Sequence, residues 1–281
     1  MSVIYKKIIN TNTHKDYKFN IELFNSAFEM ARVDKEREIT NTRFRDARRN
    51  IDRSWTGIED FEQAMEFLRN GHQETVDKLK QKINLTGQSK RFNFQNNPQG
   101  FAPIVPLALK GVPNCMVDMT MKPIKAKVID IYYDMTCSSY VESDDIIKAG
   151  REMLKAIYEL EAQGYRFNLY SVQSYSDRGG SDMVIIKIKS ATQPVDLKRI
   201  SFPICHTGFF RVIGFDWYSR FPNGTYRMCY GHSIKNEFYE ELNDVAKQLF
   251  GKNSVYFSAQ KIIDEDDNYI KNVLLNKDNN K

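Results

Sequence analysis

The chain has 281 residues, of which 41% are hydrophobic, 12% aromatic and 27% charged, a composition that folds and excludes the disordered and collagen-like classes. At this length roughly three quarters of the unfolded surface is buried, enough for one large or two modest domains. The 41 Lys and Arg against 36 Asp and Glu leave a net charge of +5, too small a bias to identify a polyanion-binding protein.

Residues Asn20 to about Arg53 read as helical, because Ile21, Phe24, Ala27, Phe28 and Ala31 recur at helical spacing. Within this stretch Arg43, Arg45, Arg48, Arg49 and Arg53 face only Asp46 and Asp52, which makes it the most electropositive segment of the chain. A helical hairpin follows from Trp55-Thr56-Gly57, with Phe61, Ala64, Met65 and Leu68 on one face, a left-handed stop at Gly71, and Val76, Leu79 and Ile83 on a second helix. Thr86 to Gly111 turns to Asn, Gln, Pro and Gly, the composition of an irregular connection and of a domain boundary.

After Pro123 strands and helices alternate. Lys127 to Asp134 is apolar on both faces, as an interior strand is. Ser143 with Asp144 and Asp145 then opens a helix whose buried row is Ile146, Ile147, Met153, Leu154, Ile157 and Leu160, and Gly164 closes it. Tyr165–Gln173 and Met183–Lys189 alternate as strands around the turn Asp177-Arg178-Gly179-Gly180. A parallel, right-handed crossover joins the first two strands, and the third lies antiparallel at an edge. Pro194 to Ser219 is helical in parts and covers the sheet, Ser233 to Phe250 is an amphipathic helix, Ser254 to Ile262 is a strand, and the tail from Asn276 frays.

The expected fold is therefore α/β: a helical region over 1–85, an irregular connection over 86–122, and over 123–281 a Rossmann-like, mostly parallel sheet with flanking helices and one antiparallel edge strand. No window approaches the ~20 apolar residues of a membrane span. Met1 to Lys7 lacks the apolar run of a secretory signal. These absences place the chain in a cytosol, away from membranes. Cys115, Cys137, Cys205 and Cys229 lack C-x-x-C spacing and read as reduced, mostly buried thiols.

Ligands of open α/β sheets collect beyond the carboxyl ends of parallel strands, which here is the run Asp134-Met135-Thr136-Cys137-Ser138-Ser139. A turn that aims one carboxylate and two hydroxyls at a single point suits a hard cation such as Mg²⁺. Asp134-x-Thr136-x-Ser138 resembles the Asp-x-Ser-x-Ser adhesion motif of von Willebrand factor A-like (vWA-like) domains, and the order strand, helix, strand, antiparallel strand, helix over about Lys127 to Ile262 resembles that fold. The resemblance implies that Asp134, Thr136 and Ser138 form a metal group; Thr207 and Asp216 are candidates for the threonine and aspartate that the family adds from later loops. The Trp55-Thr56-Gly57 hairpin and the Gly111-Val112-Pro113-Asn114-Cys115-Met116 element, followed by a vWA-like half, also resemble a family of uncharacterised bacteriophage proteins. That resemblance implies a phage origin and a bacterial host cytoplasm.

The leading expectation is thus a phage-encoded, noncatalytic module that binds another protein, using a divalent metal in the loop after Asp134. The alternative is a nucleic-acid-binding protein that uses Arg43–Arg53 and the aromatic-basic region 202–230, where phenylalanines and tyrosines interleave with Arg211, Arg220 and Arg227. A third reading is an enzyme with Asp134 as acid and Cys137 or a water as nucleophile, helped by His206 or His232. The common nucleotide, zinc-protease and serine-hydrolase motifs do not occur.

Overall fold

The computed structural model describes residues 2–41, 48, 51–82, 93–120, 128–138, 140–222, 224, 232–266 and 268–279. It opens with two strands, β1 (Val3–Ile9) and β2 (Tyr17–Phe24), paired as an antiparallel hairpin. Of the helix expected from Asn20 to about Arg53, the described residues form α1 (Ala27–Ala31), where the Ser26 side chain accepts the Glu29 N–H, and a 3-10 turn at Val33–Lys35, and 42–47, 49 and 50 lie outside the described residues. Residues 17–24 are a strand because Tyr17, Phe19 and Ile21 fill one face, while Asn20 and Glu22, equally buried, find polar partners on the other. Asn20 Nδ2 donates to Asp182 at 2.8 Å, and Glu22 accepts a two-pronged contact from Arg37 together with the Trp217 Nε1–H at 2.8 Å.

The helical expectation holds further on, in α2 (Arg53–Thr56), α3 (Phe61–Asn70) and α4 (Gln73–Lys82). Ala64, Met65 and Leu68 are buried on α3, and Val76 and Leu79 on α4. Of the segment expected to be irregular, 93–120 instead form a small antiparallel sheet of β3 (Asn93–Asn97), β4 (Ala102–Pro103) and β5 (Met116–Thr120), with α5 (Val105–Leu109) between the last two strands, and 86–92 and 121–122 lie outside the described residues. Its strands have two to five residues, too short for their pattern to stand out from an Asn-, Pro- and Gly-rich background.

Next come β6 (Val128–Asp134), α6 (Ser143–Ala162), β7 (Arg166–Asp177) and β8 (Gly180–Lys189). β6 and β7 are parallel, as the crossover requires, and β8 returns antiparallel to β7. β8 is not an edge, however, because β2 pairs with it in parallel and gives a six-stranded sheet of order β1-β2-β8-β7-β6-β9. The N-terminal hairpin belongs to the same sheet as the crossover.

Three consecutive helical pieces follow: α7 (Leu197–Cys205), a π-helical stretch at Phe209–Gly214, and α8 (Phe215–Ser219). The helix expected over 233–250 breaks into α9 (Ile234–Glu237) and α10 (Leu242–Phe250). β9 (Ser254–Ser258) is shorter than expected and pairs in parallel with β6, after which the chain bends into α11 (Ala259–Asp264) and α12 (Tyr269–Asn279). The residues from Asn276, expected to fray, continue α12 to Asn279. α6, α7, the π-helical stretch and α3 bury one face of the sheet, and α9 and α10 bury the other. Among the described residues no helix is long and apolar enough to cross a membrane.

Two glycines set how the helices meet. A Cβ on Gly150 of α6 would stand 2.5 Å from the Ile204 carbonyl, so its absence lets the carboxyl end of α7 lie directly on α6. Gly71, at φ +79, would place a Cβ 2.6 Å from the Lys198 carbonyl and seats the α3–α4 turn on the start of α7. Together they bring 72, 151 and 206 to one place.

Candidate functional site

At the carboxyl end of β6 the Asp134 side chain is fully buried. Its Oδ1 accepts the Thr136 N–H at 2.9 Å, and its Oδ2 accepts the Ser174 hydroxyl at 2.5 Å and the Tyr256 hydroxyl at 2.8 Å. Ser174 also accepts the Ile234 N–H at 3.2 Å, so a single carboxylate ties β6, β7, β9 and α9 together. Burial raises its pKa, partly opposed by these hydrogen bonds.

The structure brings Thr136 to Asp134, but the Thr136 hydroxyl accepts the Ser174 N–H at 2.9 Å. Ser138 stays apart: its hydroxyl oxygen accepts the Tyr140 N–H at 3.4 Å. Thr207 donates toward the Trp55 and Thr56 carbonyls, and Asp216 pairs with Arg48 and Arg220. A divalent ion at Asp134 would meet three hydrogen-bond donors instead of free oxygen lone pairs, so this arrangement does not fit one. Among the described residues no group of three or more His, Cys, Asp or Glu side chains is arranged to hold a metal.

Cys137 is buried and its thiol is pushed up to about 12, first by burial and then by Asp134. That is the opposite of an activated nucleophile. Arg43, Arg45 and Arg49 lie outside the described residues. Arg48 is committed to Asp216 at 2.7 Å and stacks over Phe61, and Arg53 is exposed and paired with Glu59. In the 202–230 region Phe202, Phe209, Phe210, Trp217, Tyr218 and Phe221 are core residues, which removes their faces from any base.

The polar, open feature lies beside that loop. A cleft of about 480 Å³ runs along α6 from Ser143 to Arg151, walled by 54–57 at the end of α2, by 72–78 of α4, and by His206 just past α7. His206 is 3% exposed, and its Nδ1 accepts the Gly208 N–H at 3.1 Å. The neutral ring therefore carries its proton on Nε2, for which no described residue provides an acceptor. Burial, then the neighbouring His72, pushes His206 down to about 3, against a weaker pull from Glu74. The His72 ring meets it edge-on at 4.4 Å, is itself lowered by burial, and bonds Thr75 through Nδ1 at 2.8 Å.

The Nε of Arg151 is buried without a partner. Its guanidinium forms no hydrogen bond or ion pair with any described residue, and neither does the exposed Lys148 one turn before it. Lys78 pairs with Glu74. At the amino end of α6, Glu142 supplies no side-chain cap. Ser143 was expected to cap the helix and instead begins it. The site thus combines three donors without a described acceptor: a guanidinium, an ammonium and an imidazole N–H.

Sequence reasoning missed Arg151, Lys148 and His72, and weighed His206 only as a partner for Cys137. One signal was present. Gly150 in the middle of a 20-residue helix costs about 1 kcal/mol relative to Ala, which marks a close approach at that point, and Arg151 is its neighbour.

Residues 9–280 match the family model described as "Domain of unknown function (DUF7192)", and the chain belongs to that family. No curated protein and no solved structure matches it.

Proposed function

We propose that this DUF7192 member is a noncatalytic protein-interaction module that holds a polar segment of a partner protein in the α6 cleft. Family membership assigns no activity, so the reading rests on one observation: the buried Nε of Arg151 lies in an open cleft without a partner among the described residues, whereas both carboxylate oxygens of Asp134 are taken up by hydrogen bonds inside the core. A buried donor left without a partner is destabilising, and in an open cleft a ligand can complete it. The element order β6, α6, β7, antiparallel β8, then a helix, on which the resemblance to vWA-like domains rests, supports an interaction role. In this reading Asp134 is a structural carboxylate and binding needs no divalent ion.

The test is capture of a partner from the source cell by immobilised protein. Exposed Ser54 lines the cleft, and Ser54→Trp obstructs it without touching the core. Capture is expected to be lost in Ser54→Trp and to survive EDTA. Capture that persists in Ser54→Trp but disappears with EDTA would return the site to the loop after Asp134.

A further inference from the structure

We infer that the inner end of the α6 cleft is a pocket for a phosphate monoester, with Arg151, Lys148 and His206 as its donors. This deepens the interaction reading above and rests on it. Arginine taken partly out of water is normally paired, yet the Arg151 guanidinium, with its Nε buried, has no acceptor among the described residues. Its fork is suited to two oxygens of one anion. His206 lines the same cleft, nine-tenths buried or more, with its Nε2–H unpartnered.

Lys148 stands three residues before Arg151, on the same side of α6, and is also unpaired. Charge and donor count then choose the ligand. The guanidinium fork of Arg151, the ammonium of Lys148 and a neutral N–H match three oxygens carrying nearly two charges, as a phosphate monoester presents, better than a carboxylate with two oxygens and one charge.

The cleft's acids do not oppose this. Glu74 is held by Lys78, and Asp144 and Asp145 are exposed and lie seven and six residues before Arg151, about 10 Å along the helix axis; they stand one turn before Lys148, which makes Lys148 the weaker of the two cationic donors. A volume of about 480 Å³ exceeds one phosphate and leaves room for the group that carries the ester. That group is either a phosphorylated side chain of the partner or a small phosphorylated metabolite, and the monoester is common to both.

Isothermal titration of the full chain with inorganic phosphate, N-acetyl-phosphoserine amide, glycerol 3-phosphate and acetate tests this. The three phosphates should saturate a single site, with acetate at least tenfold weaker. Arg151→Gln should weaken phosphate binding tenfold or more and Arg151→Lys less. Lys148→Gln, on an exposed position that folding does not use, should weaken it by several-fold. Tighter phosphoserine supports a phosphorylated partner, and tighter glycerol phosphate supports a metabolite within the same pocket.

Wild-type phosphate affinity in both Arg151→Gln and Lys148→Gln would overturn the pocket, as would acetate binding as well as phosphate or no phosphate binding at all. If any of these occurs while Ser54→Trp still abolishes partner capture, the interaction reading stands without the phosphate. If capture also persists in Ser54→Trp, both fall.

Discussion

Two polar sites lie near the amino end of α6, and they are built in opposite ways. At the end of β6 every oxygen of Asp134 is used by a donor from a different element, and the site is closed. In the α6 cleft the buried Nε of Arg151 has no acceptor among the described residues, and the site is open. The carboxylate that attracts attention in the sequence holds the fold together, while the groups available to a ligand sit on helices whose sequence looks ordinary.

The sharpest way to break this comparison is to remove the closed network. Asp134→Ala strands the Ser174 and Tyr256 hydroxyls and the Thr136 N–H inside the core, and should destabilise the fold by about 3 kcal/mol or more in urea denaturation. Asp134→Asn retains an acceptor and should cost about 1 kcal/mol. Neither Mg²⁺ nor EDTA should move the wild-type melting temperature. A rise of several degrees with Mg²⁺ that Asp134→Asn abolishes would make Asp134 a ligand.

Next in size is Gly150→Ala. Its methyl group would collide with the Ile204 carbonyl and the Cys205 Cα at 2.5 and 2.6 Å. Forcing α6 and α7 apart should cost about 2 kcal/mol and move His206 away from Arg151. Thermal melts beside phosphate titration would read both effects. Unchanged stability would mean that the two helices do not meet as closely as described.

How far these features were legible follows from which residues determine them. The β6–α6–β7 crossover could be read because Ile146, Met153, Leu154, Ile157 and Leu160 form one helical row and β6 is apolar on both faces. β2 was misread because Ile21 and Phe24 were counted into the helical row of Ala27, Phe28 and Ala31, although Tyr17 to Leu23 alternate apolar and polar as a strand does; the partners of Asn20 and Glu22, namely Asp182, Arg37 and Trp217, are reached only through folding. Asp134 was read as a metal-binding carboxylate at a strand end, but the Ser174 and Tyr256 that occupy it come from strands 40 and 122 residues away. The cleft was not legible, since its walls come from four separate segments.

The pH dependence separates the two sites further. His206 has its folded-state pKa depressed to about 3 from an ordinary 6.5. Its contribution to stability is fully present above pH 6.5 and is lost as pH falls toward 3, because the unfolded chain takes up the proton first. At pH 5 the loss should be about 2 kcal/mol. Asp134 is raised instead, so its neutral form is favoured and stability is regained as pH falls through its folded-state pKa. Denaturation at pH 7.5 and 5 should show a loss in wild type that His206→Leu flattens. An identical loss in His206→Leu would show that the buried imidazole does not govern the acid limb.

The smallest expected effect on the fold is that of Arg151→Gln. No described residue pairs with the guanidinium, so stability should change by no more than about 0.5 kcal/mol even as phosphate binding is lost. A large destabilisation would show that Arg151 is structural.

The central claim, that ligands meet the α6 cleft and not the end of β6, is tested most directly by amide NMR of the full chain. Inorganic phosphate and Mg²⁺ are added in turn, and each perturbed resonance is assigned to its residue. The account predicts phosphate-dependent shifts over 72–78, 143–151 and 206–208, and none from Mg²⁺. Shifts over 134–138 and 172–176 on adding Mg²⁺, with the cleft silent to phosphate, would contradict it.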